Sequence, residues 1–98
     1  MYLIDKLENH LCDIEEQQID GSSVTGKVRK SKLPKALNDL LSLYEEAVNN
    51  LVFSKLDEIE DEIKSFEILV VIDGKKFKIG NLQLMNYEDI SFDIEDYS

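Results

Sequence analysis

The sequence has little of several residue types on which common kinds of protein chemistry depend. Its 98 residues include one cysteine, one proline, one histidine and no tryptophan. Because Cys12 is alone, it cannot form a disulfide within the chain, which indicates a reducing, cytoplasmic setting. Because His10 is alone, carboxylates are almost the whole supply of general bases. This scarcity argues against an enzyme and against a disulfide-stabilised domain.

Long apolar runs are also missing. No stretch of 18 apolar residues occurs, so we expect no membrane-spanning helix. The first residues lack a basic segment followed by an apolar one, so we expect no secretory signal peptide. With 43% hydrophobic residues, the chain can still form a core of its own. We therefore predict one cytoplasmic domain over residues 1–98.

Positive charge is scarce, and much of it is concentrated in one segment. The net charge is −10, from 21 acidic and 11 basic side chains. Residues 21–36 nevertheless contain five basic side chains and no acidic one. Outside residues 27–35, a chain this acidic is repelled by nucleic acid and by anionic membranes, so we expect no direct binding to either through the rest of the surface and a long-range attraction to basic partners. The basic stretch at 27–35 has two interpretations: it holds an anion, or it pairs with the protein's own carboxylates.

The strongest structural signal is a β-hairpin at Asp73-Gly74. Two apolar runs flank this dipeptide, a pattern typical of a two-residue type I′ turn. The loop length then fixes the pairs across the hairpin, which are Ile72 with Lys75, Val71 with Lys76, Val70 with Phe77, Leu69 with Lys78 and Ile68 with Ile79. Since side chains alternate along a strand, every second pair lies on an apolar face that we expect to point into the core.

Helical spacing dominates the chain before this hairpin. Apolar residues at intervals of three and four predict an amphipathic helix over residues 2–18 and a second over residues 34–64. The second segment is either one long helix, kinked near 53–55, or two helices that break near Ser54; we favour the long helix. Between the two helical segments, residues 20–33 are rich in glycine, serine and basic residues and predict a loop.

The remainder of the chain, residues 66–95, predicts a sheet of three to four antiparallel strands. Gly80-Asn81 indicates a turn, Leu82 begins a short third strand, and residues 90–95 alternate between apolar and acidic or polar residues. The carboxylates of this last strand are expected to protect an open sheet edge. The predicted fold is therefore α+β, with two N-terminal helices followed by an antiparallel sheet that packs on helix.

Two short motifs invite a more specific interpretation. The segment from Gly21 to Gly26-Lys27 has the spacing of a phosphate-binding loop, but Val28 stands where a Mg²⁺-binding hydroxyl belongs. We interpret it as a connector. On a helix, His10 and Cys12 point to different sides and make a poor metal pair. The sequence thus predicts no catalytic, cofactor-binding or metal-binding residue.

Carboxylates form the one surface to which we assign a function. Seven acidic residues lie off the apolar stripes and are predicted to bind a partner: Asp57, Glu58, Asp61, Glu62, Asp89, Asp93 and Glu95. The competing interpretation is an ordinary solvated surface. We predict a small acidic binding protein, of inhibitor or immunity type, with a basic protein partner. The alternative is a structural module in which the long amphipathic helix associates with a second copy to form a homodimer.

Overall fold

The protein is a closed barrel of six antiparallel strands with two short helices. The structure, a computed structural model, describes residues 1–95, so the last three residues of the predicted domain lie outside the described part. The elements in chain order are β1 (Tyr2–Ile4), β2 (His10–Asp20), β3 (Ser23–Arg29), α1 (Lys35–Asn49), a 3₁₀ turn (Phe53–Lys55), α2 (Leu56–Lys64), β4 (Leu69–Ile72), β5 (Lys75–Met85) and β6 (Asp89–Ile94). Neighbouring strands follow the order β1-β2-β3-β6-β5-β4 around the barrel. The prediction of an α+β fold with two N-terminal helices and a three- to four-stranded sheet is therefore wrong.

The predicted helix over residues 2–18 consists of two strands and a loop. β1 pairs with β2 on one side and with β4 on the other, and so closes the barrel. The register between β1 and β2 shifts beside Leu11, and a second bulge in β2 separates Glu15 from Gln18. Each bulge adds a residue and interrupts the two-residue alternation of a strand. Leu7, which completes the helical pattern in the sequence, lies in the loop and is 74% exposed.

The predicted basic loop over residues 20–33 is largely a strand. β3 pairs with β2 through a hairpin whose loop is Gly21-Ser22, and it pairs with β6 along its other edge. Gly26 and Lys27 lie inside β3, opposite residues of β6. The backbone amides of this segment therefore belong to a sheet and do not form the open loop that surrounds a phosphate.

Residues 34–64 form two helices and not the long helix that we favoured. α1 ends at Asn49, and Leu51 adopts a left-handed φ of 57°. The amides of Leu51 and Val52 donate to carbonyls in the last turn of α1, at 3.2 and 2.9 Å. This is the Schellman arrangement, which ends a helix. The break near Ser54, the other arrangement that the sequence allowed, is the one observed.

Replacement of Leu51 by glycine is expected to stabilise the protein by about 0.5–1 kcal/mol, because glycine adopts left-handed φ without steric cost. The Leu51 side chain is 72% exposed, so its removal sacrifices little packing. Urea denaturation measures the effect. Leu51→Ala is the matched control, since it removes the side chain without relieving the backbone. Equal urea midpoints for the glycine and alanine variants would contradict this explanation.

The hairpin at Asp73-Gly74 is confirmed. Both loop residues have positive φ, 51° and 79°, as a type I′ turn requires. Four of the five predicted pairs are observed: Leu69 with Lys78, Val70 with Phe77, Val71 with Lys76 and Ile72 with Lys75. The fifth, Ile68 with Ile79, is not formed, because β4 begins at Leu69. Local turn chemistry was therefore sufficient to fix this register.

The two further strands predicted after the hairpin are confirmed only in part. Gly80-Asn81 is an irregularity within β5 and not a turn, so the predicted third strand is the second half of β5. The alternation in β6 is confirmed, because Ile90, Phe92 and Ile94 are buried. However, β6 pairs with β3 as well as β5 and is not an open edge.

Apolar side chains from strands and helices form one continuous core. The barrel contributes most of it, α1 adds Leu37, Leu41 and Tyr44, and α2 adds Ile63. Ile63 is the one buried side chain of α2, and Leu56 and Ile59 pack partly buried beside it. Within residues 1–95, neither helix is long and apolar enough to cross a membrane.

Candidate functional site

The seven carboxylates predicted to bind a partner fall into two groups in the structure. Three belong to β6 or follow it: Asp89, Asp93 and Glu95. Asp89 forms an ion pair with Lys27 of β3. Asp93 accepts hydrogen bonds from the Asn81 amide and the Ser23 hydroxyl, both at 2.8 Å. The bond from Asn81, followed by that from Ser23, holds the pKa of Asp93 below its usual value. Asp89 and Asp93 therefore help to hold the barrel wall together.

The basic segment is neutralised largely within the molecule. Lys27, Arg29, Lys30 and Lys35 each lie within ion-pair distance of a carboxylate; the partners are Asp89 for Lys27, Glu15 and Glu88 for Arg29, Asp13 for Lys30 and Asp39 for Lys35. This corresponds to the second interpretation of the basic segment, pairing with the protein's own acids. Most of the positive charge of the basic segment is therefore balanced by carboxylates of the same molecule.

The other four predicted carboxylates share one side of α2, which we call the α2 face: Asp57, Glu58, Asp61 and Glu62. At 100° per residue they span an arc of about 140° on the helix. The opposite side of α2 carries Leu56 and Ile59, which pack partly buried against the core, and the buried Ile63. Apolar spacing of three and four residues thus turns the acidic side to solvent, where all four side chains are exposed.

No residue within 1–95 forms an ion pair with any carboxylate of the α2 face. Asp57 and Glu58 lie in the first turn, where the positive end of the helix dipole favours them. Asp61 and Glu62 lie in the second half of the helix, towards its negative end, and each follows another acid by four residues. Both placements cost helix stability, by a few tenths of a kcal/mol for each like-charge pair. The stability of α2 therefore does not explain why acidic residues stand at positions 61 and 62.

Three consecutive apolar residues, which we call the apolar tip, precede α2. Leu51, Val52 and Phe53 are 72%, 42% and 60% exposed. The Schellman turn places them outside both helices, and Phe53 lies four residues before Asp57. Exposed aromatic residues are enriched where proteins contact one another. The helix predicted over residues 34–64 includes Leu51, Val52 and Phe53, so that prediction missed the tip; only the alternative break near Ser54 pointed to it.

A hydrogen bond between the two helices fixes the orientation of α2. The Tyr44 hydroxyl of α1 donates to Oε1 of Glu60 at 2.9 Å. Burial of the phenol, with a further contribution from Glu60, raises the pKa of Tyr44 above its usual value. Since Glu60 is held on the inner side of α2, the α2 face is kept pointing away from α1.

Cys12 and His10, the side chains that could act as nucleophile or base, make structural contacts. Cys12 is fully buried, and burial raises the pKa of its thiol to about 11, so that at neutral pH it is not the nucleophilic thiolate. His10 Nε2 lies 2.6 Å from Asp13 Oδ1. In the described part of the chain, no three His, Cys, Asp or Glu side chains are grouped so as to hold a metal ion.

Comparisons with protein families, with curated proteins and with solved structures gave no match to this chain. The α2 face and the apolar tip are the surface features from which a function can be inferred.

Proposed function

We propose that the protein is a small acidic binding protein that engages a basic protein partner through the α2 face, with the apolar tip at the margin of the contact. Asp61 and Glu62 carry this proposal, because they are exposed, have no ion pair within residues 1–95 and are unfavourable for the helix that bears them. Residues that cost stability without a structural return are characteristic of functional surfaces. A basic partner supplies the opposite charge that the α2 face lacks.

An inhibitor or immunity-type role suits this surface. Enzymes that act on nucleic acid present basic surfaces to the phosphate backbone, and a row of carboxylates on a helix can occupy such a surface. Steering by charge also speeds association, which benefits an inhibitor. In this proposal the protein acts by binding and not by catalysis. Its single cysteine, a buried thiol, supports a cytoplasmic setting.

Self-association through a long helix has lost its structural basis. The helix is absent, Ile63 is buried, and Leu56 and Ile59 pack against the core of the same chain. The large apolar side chains of residues 34–64 that remain exposed are Leu43 of α1 and the three residues of the apolar tip. A stable interface uses roughly 20–30 residues from each partner, so the tip alone does not support a dimer.

Reversal of two charges, in Asp61→Lys/Glu62→Lys, is expected to weaken partner binding at least tenfold and to stabilise the fold. The new lysines lie four residues after Asp57 and Glu58 and near the negative end of the helix dipole, which together contribute about 1 kcal/mol. Binding is measured as the association rate at two salt concentrations, on a basic protein captured from host extract by the wild type. Stability is measured separately by urea denaturation.

The matched control is Asp20→Lys/Glu46→Lys, which changes the net charge equally elsewhere on the surface, at two exposed acids that form no ion pair in the described part of the chain. We expect the control to slow association only slightly. Equal slowing by both variants would mean that overall charge, and not the α2 face, attracts the partner. Unchanged binding by the α2 variant would refute the proposal.

A further inference from the structure

A cavity of about 560 Å³ lies between the second half of α2 and the barrel wall around the start of β4 and the middle of β5. Its volume falls within the range of small-molecule sites, which is roughly 300–1,000 Å³. On the α2 side, its lining consists of Glu60, Ile63 and Lys64. This cavity is separate from the α2 face, which points to solvent.

Branched aliphatic side chains line the inner part of the cavity. Ile63, Ile68 and Leu82 are 7%, 7% and 6% exposed, and Leu69 and Ile79 are partly buried beside them. No aromatic ring is among the described residues that line it. Such a surface buries an aliphatic chain by the hydrophobic effect, but it offers no ring on which a planar ligand can stack.

Three lysines also line this cavity: Lys6, Lys64 and Lys78. None of the three has an ion pair within residues 1–95, although carboxylates outnumber basic groups in the chain. The strand pairing brings two of them to the same part of the wall. Ile4 of β1, Leu69 of β4 and Lys78 of β5 lie side by side across three neighbouring strands. Lys6 comes two residues after Ile4 in the chain.

The lining also contains three glutamates, Glu60, Glu67 and Glu95, so its formal charge is zero. Glu60 already accepts the hydrogen bond from Tyr44. A polyanion such as a nucleotide would meet as many carboxylates as lysines. A neutral aliphatic molecule would leave the lysines without a partner. A single carboxylate can pair with a lysine while adding only one negative charge to this neutral lining.

We propose that this cavity binds an aliphatic monocarboxylate of the medium-chain fatty-acid class. The chain lies against Ile63, Ile68 and Leu82, and the carboxylate pairs with the lysines at the rim. This inference goes beyond the proposed binding of a basic protein and does not depend on it, because the two surfaces share no residue.

The test uses decanoate, below its micellar concentration, with decanol and decyltrimethylammonium as probes of similar chain length and different charge. Calorimetry is expected to give saturable 1:1 binding of decanoate, at least fivefold tighter than the binding of decanol. The cation decyltrimethylammonium is expected to bind more weakly than decanol. In methyl NMR spectra of the whole protein, the signals of Ile63, Ile68 and Leu82 are expected to shift on titration. Equal affinity for decanol, no saturable binding, or shifts confined to other methyl groups would overturn the proposal.

Lysine variants distinguish this site from general attraction by positive charge. Lys6→Gln/Lys64→Gln/Lys78→Gln is expected to weaken decanoate binding at least fivefold while leaving decanol binding unchanged. The control Lys32→Gln/Lys55→Gln/Lys75→Gln removes three exposed lysines that lie outside the cavity and form no ion pair among residues 1–95. We expect it to bind decanoate as the wild type does. Equal losses in the two triple variants would overturn the assignment of the rim lysines.

Discussion

Gly26→Ala is expected to destabilise the protein by about 1–3 kcal/mol, as overpacking of a close contact does. A Cβ atom at this position would lie 2.6 Å from Cγ2 of Ile14 and 2.9 Å from the carbonyl oxygen of Glu15. Ile14 is buried, and Glu15 is a backbone partner of Lys27 beside the bulge of β2. Neither neighbour can move away without disturbing the pairing of β2 with β3.

A double-mutant cycle with Ile14→Ala checks the cause of this loss. The alanine at position 14 removes the Cγ2 atom, so part of the cost of Gly26→Ala should disappear, and the two losses should sum to more than that of the double variant. Urea denaturation of the four proteins gives the free energies of unfolding. Strict additivity would show that Gly26 and Ile14 do not meet as described.

Gly74→Val is expected to destabilise the protein by about 1–3 kcal/mol for a different reason, which is the positive φ of 79°. A Cβ atom at Gly74 would meet no atom of the described residues within 4 Å, so a steric clash with them is not the cause. A β-branched side chain is nevertheless strained at positive φ, and the type I′ turn needs that conformation at both loop positions.

Gly74→Asn is the matched control, because asparagine tolerates the left-handed region far better than valine. We expect its loss of stability to be less than half that of the valine variant in urea denaturation. Similar losses for valine and asparagine would mean that the turn conformation is not the source of the effect.

These two glycines show where sequence reasoning succeeded and where it did not. The Asp73-Gly74 turn is a local property of four residues, and its loop length determined the register of β4 and β5 correctly. Gly26 matched a phosphate-loop spacing only by coincidence. Its structural role depends on Ile14 and Glu15, which belong to another strand. Without the β2–β3 pairing, nothing in the sequence shows this contact.

The N-terminal third was misread because its bulges mimic helical spacing. Leu3, Leu11 and Ile14 are buried, but they lie on two strands whose register shifts between them. In addition, residues 15–20 of β2 are all exposed, so no alternation of burial marks them as a strand. A two-residue Gly21-Ser22 loop between Asp20 and Ser23 was a usable hairpin signal.

The candidate site was predicted in part. The exposure of the α2 face follows from helical spacing, which holds for any amphipathic helix. The internal partners of Asp89 and Asp93 could not be predicted, because they lie on β3 and β5. The apolar tip depends on the left-handed φ of Leu51, and position 51 is neither the glycine nor the asparagine that would indicate this conformation in the sequence. The aliphatic cavity depends on how α2 rests against the barrel.

Barrel closure also determines how this chain can fold. Lys27 and Asp89, which face each other between β3 and β6, are 62 residues apart in sequence. β1, only three residues long, must find β4 across both helices. Chain entropy makes such distant contacts slow to form, so the barrel should fold more slowly than a helical protein of equal length. During synthesis on the ribosome, β1 and β3 each keep one edge unpaired until their partners β4 and β6, in the last third of the chain, have been made.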